Sequence, residues 1–422
     1  MLTSDFGVYS EVGRLRKVMV HRPDLSVKRL TPGNHRDLLF DDVLWVERAI
    51  EEHDAFVRVL EEEGVKVYHL CNLLADVLAK NSEARQWVIH RAVNAMTVGL
   101  SACGAVRACL MEMEPAALAM HLIGGLTRSE LECIHLEGMN RSSLQIASSG
   151  PDSFILPPLP NTLFTRDTSS WICDGFTLNP MYWTVRRLEV VNVAAIYRFH
   201  PLFSGRKIPT WYSCIENGIE AASEAPGMAS MEGGDIMPIG KGTLLLGMGE
   251  RTGGPMVEEI SRALLSSGMI ERVIVAQMSH DRAHMHLDTV CTMLDKDMIT
   301  VFPRVIDGIR AYSIRWAGGD RVFEVTREVD LPTAIADALE IDRLCVIPTG
   351  GDEYQAAREQ WDDGNNILAI EPGKVISYDR NTCTNRNFAD AGIEVIEIEG
   401  SELSRGRGGG HCLTCPLQRD AI

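Results

Sequence analysis

Hydrophobic and polar positions along the chain follow a unit that recurs: two short strands joined by a tight turn, then a helix, then a third strand. The clearest strand pairs turn at Asp174-Gly175, Gly240-Lys241-Gly242, Asp295-Lys296-Asp297 and Pro372-Gly373. Glycine, proline and aspartate supply the backbone geometry of such turns, and the apolar runs beside them are typical of strands. The pattern predicts an α/β chain built from repeated units.

A segment of helical period leads into a short β-rich strand at five places. The pairs are "VERAIEEHDAFVRVLEEEG" with "VKVYHL", "RRLEVVNVAAIYRFHPLF" with "KIPTWYS", "VEEISRALLSSG" with "RVIVAQM", "PTAIADALE" with "RLCVIPT", and "RNFADAG" with "IEVIEIE". Strand "LRKVMVHRP" would open the first unit, and the C-terminal "GGHCLTCPL" could supply its missing partner. Because joining the chain ends removes an open sheet edge, we predict a closed ring of five ββαβ units.

Residues 75–150 depart from this repeat. Helical patterns such as "SEARQWVIHRAVNAMTVGL" and "EPAALAMHLIGGL" fill the interval, and the proline-rich "LPPLPN" marks the return to the repeat. We therefore predict two domains. The catalytic ring takes residues 1–74 and 151–422, and an inserted helical domain takes residues 75–150.

Composition and charge narrow the class of protein. The 422 residues are 45% hydrophobic and 23% charged, with a formal net charge of -17. Such a surface repels nucleic acid and anionic membranes but tolerates a cationic small molecule. No apolar run approaches the length of a membrane span, and the N-terminus has no pattern of a secretory signal. We expect a cytoplasmic protein without nucleic-acid or membrane partners, whose eleven cysteines are reduced thiols.

Reactive side chains recur at one position of the repeat. The first strands of three hairpins carry "FTRD", "MEGGD" and "HMHLD", and the last strand carries "GGHC". Each motif alone has a structural explanation, since an Asp after Arg is usually a solvated turn residue and a buried Cys is usually a small hydrophobe. Their joint occurrence predicts a catalytic centre inside the ring, formed by Asp167, Glu232, His286, Asp288 and Cys412.

These residue types suit chemistry on a guanidinium group. A cysteine thiolate is a strong nucleophile, and a histidine can move protons for it. Carboxylates match the planar donor fork of a guanidinium, so that Asp167, Glu232 and Asp288 could hold its carbon beside Cys412. The glycines of "GRGGGH" would leave room for the substrate.

The spacing of Cys412 and Cys415 raises two alternatives, a zinc site and a redox pair. A structural zinc site needs four ligands, and apart from "HMHLD" no second cluster is evident. A redox pair normally opens a helix, whereas Pro416 follows here at once. We therefore expect no metal and no organic cofactor. Because adjacent side chains on a strand point to opposite faces, we expect Cys412 to work with His286 rather than with His411.

The longer motifs resemble the arginine deiminase family of guanidine-modifying (pentein) enzymes. They are "NTLFTRDTSSWI", "TLNPMYW", "EGGDIMPIG", "GMGER", "HLDTV", "REQWDDGNN", "YDRNT" and "GRGGGHCLTCPL", and the similarity covers nearly the whole chain. The resemblance implies a five-bladed α/β-propeller with an inserted helical domain. It also implies hydrolysis of L-arginine to L-citrulline and ammonia in arginine catabolism, without a cofactor. Because helical insertions in such enzymes often make subunit contacts, we expect a homo-oligomer.

The same resemblance implies a role for each site residue. Cys412 is the nucleophile, His286 the general acid and base with Glu232 beside it, and Asp167 and Asp288 grip the guanidinium. Alternatives are an amidinotransferase or dimethylarginine hydrolase of the same fold, and a non-enzymatic arginine-binding protein. The other implied substrate contacts are Asn161, Arg186 and Arg251 at the α-carboxylate, Phe164 along the stem, and Arg407 as a mobile side chain at the mouth.

Overall fold

The computed structural model describes residues 5–131, 142–215, 229–318 and 322–422, which form six sheets and the helices between them. The strands are β1 (Leu15–Val20), β2 (Lys66–His69), β3 (Leu126–Thr127), β4 (Phe154–Leu156), β5 (Ser169–Ile172), β6 (Gly175–Leu178), β7 (Thr210–Ser213), β8 (Ile236–Gly240), β9 (Thr243–Met248), β10 (Arg272–Gln277), β11 (Cys291–Asp295), β12 (Met298–Val301), β13 (Arg310–Trp316), β14 (Phe323–Arg327), β15 (Cys345–Pro348), β16 (Leu368–Glu371), β17 (Lys374–Tyr378), β18 (Glu394–Ile398) and β19 (Cys415–Arg419). The helices are α1 (Leu25–Lys28), α2 (Val46–Glu62), α3 (Leu70–Lys80), α4 (Ser82–Ala92), α5 (Ala95–Val98), α6 (Cys103–Glu112), α7 (Pro115–Gly124), α8 (Leu144–Ser148), α9 (Arg187–Phe199), α10 (Gly254–Ser267), α11 (Pro303–Ile306), α12 (Leu331–Leu339), α13 (Glu353–Trp361) and α14 (Thr382–Asp390).

Five of the six sheets share one pairing scheme. In each, the first strand is antiparallel to the second, and the second is parallel to a third that follows a helix. Four of them are β5-β6-β7, β8-β9-β10, β11-β12-β15 and β16-β17-β18. The hairpin turns and the five helix-to-strand units lie where the sequence pattern predicts them. Each hairpin turn contains glycine, proline or aspartate, which marks it in the sequence.

The remaining sheet of this kind joins the two ends of the chain. Strand β19 runs antiparallel to β1, with Cys415 opposite Met19, and β1 runs parallel to β2. Arg419 at the end of β19 pairs with Leu15 at the start of β1. The prediction that the C-terminal segment completes the first unit is confirmed.

The central sheet and the helical segment both differ in detail from the prediction. Strands β13 and β14 extend the sheet of β8 to β10 to five strands, with Ile314 opposite Val273. The helical stretch predicted over residues 82–100 is broken after Ala92. Asn94 then caps α5, because its side chain accepts hydrogen bonds from the amides of Met96 and Thr97.

The hydrophobic core is divided among the units. One cluster packs α2 against β1 and β17, with Phe56, Val18 and Ile376 almost fully buried. Another packs α10 against β9 and β10, around Ile260 and Leu244. Helices α2 and α10 therefore pack against the sheets of their own units, and α2 also contacts β17 of another sheet.

The cysteines are mostly, but not all, free thiols. Of the ten cysteines in the described residues, nine are free, including Cys412 and Cys415, and Cys109 is disulfide-bonded. The prediction of reduced thiols throughout is therefore wrong at Cys109. In the described part of the chain, no helix combines the length and the apolar character needed to cross a membrane.

Candidate active site

The five residues predicted to form the catalytic centre lie in the turns that lead into the first strand of a sheet, not on the strands themselves. Asp167 precedes β5, Glu232 precedes β8, and Cys412 precedes β19. His286 and Asp288 belong to the turn before β11. A turn at this position brings side chains from separate sheets together.

Eight of the ten predicted site residues line one enclosed cavity. The other two do not line the cavity but contact residues that do: Glu232 contacts His286, and Asp288 contacts Cys412. The cavity leaves about 30 Å³ for the centre of a water-sized sphere, which is room for one or two water molecules. An amino acid therefore enters only if lining side chains move. The lining consists of Leu39, Asp41, Asn161, Phe164, Asp167, Arg186, Arg251, Met285, His286, Thr289, Gly406, Arg407 and Cys412.

The thiol of Cys412 is 4% exposed and is held by two polar neighbours. It donates to Asp288 Oδ2 at 3.3 Å and receives a hydrogen bond from Asn366 Nδ2 at 3.2 Å. Burial, and then the charges of Asp288, Asp167 and Asp363, raise its pKa well above the ordinary value. The cysteine is therefore a neutral thiol until a cation offsets these carboxylates.

Asn366 is a site residue that the sequence analysis missed. Its side-chain oxygen accepts from the Cys412 backbone amide at 2.9 Å, and its Nδ2 donates to the Asp288 carbonyl at 3.1 Å. Asn366 stands just before β16, which is the position that Asp167, Glu232 and Cys412 occupy in their own sheets. The register of the repeat was thus the signal that could have found it.

His286 is paired with carboxylates on both sides of its ring. Its Nε2 lies 2.8 Å from Glu232 Oε2, and its Nδ1 lies 3.8 Å from Asp167 Oδ1. Burial alone would lower its pKa, but Asp167, Glu232 and Asp235 outweigh burial and raise it to about 9. The ring is therefore an imidazolium at neutral pH, and it can donate a proton.

One carboxylate oxygen of Asp288 contacts both His411 and Cys412, and the other has no hydrogen-bond partner. Its Oδ2 lies 2.8 Å from His411 Nδ1, in addition to the Cys412 contact. Its Oδ1 is buried and has no hydrogen-bond partner. The expectation that His411 and Cys412 point to opposite faces of a strand does not apply, because both lie in the turn before β19, and Asp288 contacts both of them.

Arg186 and Arg251 bring two guanidinium groups to the same cavity. Arg186 Nη1 lies 2.9 Å from Asp167 Oδ2 and 3.5 Å from Glu232 Oε2, while Glu189 holds the other edge of its guanidinium. Arg251 Nη1 lies 3.0 Å from Glu232 Oε2. Burial would raise the pKa of Glu232, but Arg251, His286 and Arg186 hold it below its usual range.

Glycines allow other sheets to approach the site closely. A Cβ on Gly408 would lie 2.2 Å from the Phe164 ring, and one on Gly409 would lie 2.4 Å from the Asn366 carbonyl. The glycines before Cys412 therefore make room for neighbouring protein atoms, whereas the sequence analysis assigned that room to the substrate. Phe164 in turn stacks on Phe40 with 5.9 Å between ring centroids.

Arg407 lines the cavity and has a left-handed backbone conformation, with φ +61°. Its guanidinium lies 3.9 Å above the Trp361 ring, and Nη2 donates to the Ala283 carbonyl at 3.0 Å. Its Nε and Nη1 are buried without a partner, as is Oδ2 of Asp363. On the cavity wall, Asn161 donates from its side chain to the Leu38 carbonyl at 2.8 Å.

Asp167, Glu232 and His286 lie close enough together to share a cation. Arg186 and Arg251 already provide positive charge to the two carboxylates. The arrangement therefore suits an organic cation beside the His286 imidazolium rather than a metal ion.

Comparison with known proteins identifies solved structures of the same fold. An amidinotransferase of the saxitoxin biosynthetic pathway from Microseira wollei shares the fold, with 13% identity, a TM-score of 0.58, and coverage of 99% of this chain and 98% of that one. An inosamine-phosphate amidinotransferase from Streptomyces griseus matches with 13% identity, a TM-score of 0.52, and coverage of 99% and 98%. The product-bound N-terminal domain of ArgZ, an arginine dihydrolase of cyanobacteria, matches with 13% identity, a TM-score of 0.51, and coverage of 96% and 97%.

The chain thus shares the α/β fold of these proteins. A family model for arginine deiminase matches residues 36–419. The chain belongs to the arginine deiminase family, and this membership supports an enzyme that modifies a guanidino group.

Proposed function

We propose that the protein hydrolyses L-arginine to L-citrulline and ammonia through a covalent adduct on Cys412. The observation that carries the proposal is a thiol that shares one buried cavity with an imidazolium and with carboxylates on two sides. The unpartnered Asp288 Oδ1 supports a guanidinium ligand, because a buried carboxylate oxygen without a donor is costly. Family membership supports the same substrate class.

The first half-reaction transfers the amidino group to sulfur. The guanidinium lies between Asp167 and Asp288 and offsets the charges that keep Cys412 protonated, so the thiol loses its proton to solvent. The thiolate attacks the guanidinium carbon. His286 then protonates one nitrogen, the C–N bond breaks, and ammonia leaves behind a cationic amidino-enzyme.

The second half-reaction restores the thiol with water. Neutral His286 takes a proton from water as the oxygen bonds to the same carbon. The tetrahedral adduct then expels the Cys412 thiolate and yields the neutral urea of citrulline, and its hydroxyl proton passes through solvent to the released ammonia. The thiolate takes up a proton from solvent, which restores the resting thiol. Holding the carbon within attack distance accounts for about 7–11 kcal/mol at most, as in well-oriented intramolecular reactions. Arg186 and Arg251 select an α-amino acid by pairing with its carboxylate.

The test measures citrulline and ammonia formed from L-arginine without any amine acceptor. Equal amounts of the two products are expected from the native protein. Cys412→Ser should lose turnover but still bind arginine in calorimetry, and this separates an enzyme from a binding protein. Undiminished turnover in Cys412→Ser would refute the assigned nucleophile.

Amidino transfer is the second candidate, since two of the compared structures are amidinotransferases. An amidinotransferase would turn over arginine only when an amine such as glycine is added to accept the amidino group. Methylated arginine in place of arginine tests the dimethylarginine hydrolase alternative in the same assay.

Three structural expectations are proposed together with this function. The shared topology of five sheets and the joined chain ends support a five-bladed propeller. Helices α4 to α8 support an inserted helical domain over residues 75–150. A cytoplasmic homo-oligomer stays a prediction, to be checked by light scattering and cell fractionation.

A further inference from the structure

A buried chain of charged groups runs from the catalytic thiol to the N-terminal segment. Asp288 Oδ2 lies 3.3 Å from Cys412 Sγ and 2.8 Å from His411 Nδ1. His411 Nε2 lies 3.0 Å from Glu11 Oε2, and Glu11 Oε1 lies 3.4 Å from Arg166 Nη1. All five side chains belong to residues that are 4% exposed or less.

His411 lies between two buried carboxylates. Burial would raise the pKa of Glu11, but Arg166 and His411 outweigh burial and lower it to about 2. The pKa of Asp288 is also lowered despite its burial, first by the hydrogen bond from His411. Both groups are therefore ionised at neutral pH. Each carboxylate faces one ring nitrogen of His411, Asp288 at Nδ1 and Glu11 at Nε2.

This contact decides which oxygen of Asp288 is available. Oδ2 is shared by His411 and the thiol, whereas the buried Oδ1 has no partner. Gly234 packs against that free oxygen, since a Cβ there would lie 2.9 Å from it. A carboxylate held at one oxygen and packed along its other side is fixed in orientation, and its free oxygen can accept from a guanidinium once lining side chains have moved.

We propose that His411, held by Glu11, is a positioning residue that keeps Asp288 ionised and oriented toward the guanidinium of the substrate. The substrate named here rests on the proposed function. The electrostatic coupling between His411, Asp288 and Cys412 does not depend on which substrate is turned over.

Other charged groups face the same chain and remain in a His411 variant. They still influence the pKa values of Asp288, Cys412 and Glu11, so the expected pH shifts are partial. These groups are His286 and Asp235 near Asp288, Asp167 and Asp363 near Cys412, and Arg166 and Arg419 near Glu11.

Replacing His411 with glutamine removes the imidazole ring but keeps a polar side chain of similar length. The pKa of Asp288 should then rise, so the acid limb of the kcat/KM profile should move to higher pH by about one unit, with a roughly 10- to 100-fold lower maximum. Glu11→Gln should shift the same limb in the same direction but less. The double variant should add little to His411→Gln, because the two residues act as one unit.

A second measurement needs no arginine. Iodoacetamide alkylation of Cys412, followed by mass spectrometry of its peptide, should shift to higher pH in His411→Gln. The reason is that the uncompensated charge of Asp288 then faces the thiol. His200→Gln is the matched control, because His200 pairs with Asp76 far along the sequence from the site, and no shift is expected there.

The outcomes separate the two proposals. An alkylation shift in a protein that never hydrolyses arginine would refute the proposed function and support the coupling. Unchanged acid limb and alkylation profiles in folded His411→Gln would overturn the coupling, even if the melting temperature fell. If His411→Gln does not fold, Glu11→Gln decides by the same two profiles.

Discussion

Replacing Gly234 with alanine should displace two catalytic side chains at once. A Cβ at this position would lie 2.8 Å from Cγ and Nδ1 of His286 and 2.9 Å from Oδ1 of Asp288. Ordinary contact begins at about 3.4 Å, so each group would have to retreat by roughly 0.6 Å. The φ of Gly234 is not positive, so the effect is steric rather than a matter of backbone conformation.

A displacement of this size should lower kcat/KM by about 10- to 100-fold, since a 1 Å misplacement costs about 100-fold. Overpacking should also reduce the free energy of unfolding by about 1–3 kcal/mol. Steady-state citrulline formation and urea denaturation measure the two effects. Gly104→Ala in α6 is the control, because an added Cβ meets nothing within 4 Å there. Native kcat/KM in folded Gly234→Ala would show that the packing argument is wrong.

Three further predictions follow from buried contacts. Cys415→Ser should keep kcat within about threefold, because the Cys415 thiol hydrogen-bonds to the Ser169 carbonyl outside the cavity; a loss like that of Cys412→Ser would contradict the assignment of a single nucleophile. Asn366→Ala should lower kcat about 10- to 100-fold with little change in KM, since it removes the donor to the sulfur of the nucleophile; an effect on KM alone in the citrulline assay would refute this. Burial lowers the pKa of His53 to about 3, so only the unfolded chain takes up its proton as pH falls below about 6.5. Stability should therefore drop by about 2 kcal/mol more between pH 7 and pH 5 in the native protein than in His53→Leu, and equal drops in urea denaturation would refute this.

The repeated hairpins were predictable because their turns are local. Gly240, Lys241 and Gly242 have positive φ, as do Cys173 and Gly373 at two other turns. The glycines in these turns mark such positions in the sequence, and apolar strands on either side complete the pattern. The strand pair β13 and β14 was missed because its outer strand is largely exposed and carries charged residues.

The candidate site was predictable where the repeat carried a reactive residue type. Asp167, Glu232 and Cys412 stand out by their chemistry, whereas Asn366 stands at the same register with an ordinary polar side chain. Glu11 was not predictable, because its contact with His411 spans almost the whole chain. Such a contact depends on joining β19 to β1, and residue spacing does not report it.

The charges of the site also account for its selectivity under the proposed reaction. Burial and the charges of Asp288, Asp167 and Asp363 raise the pKa of Cys412, so the resting cysteine is a poor nucleophile. The same carboxylates attract a guanidinium, and its positive charge removes their effect on the thiol. Activation therefore requires a cation in the cavity, and neutral amides or ureas of similar shape would leave the thiol protonated. The citrulline product is such a urea, so its formation returns the cysteine to the resting state and weakens the hold of Asp167 and Asp288 on the ligand.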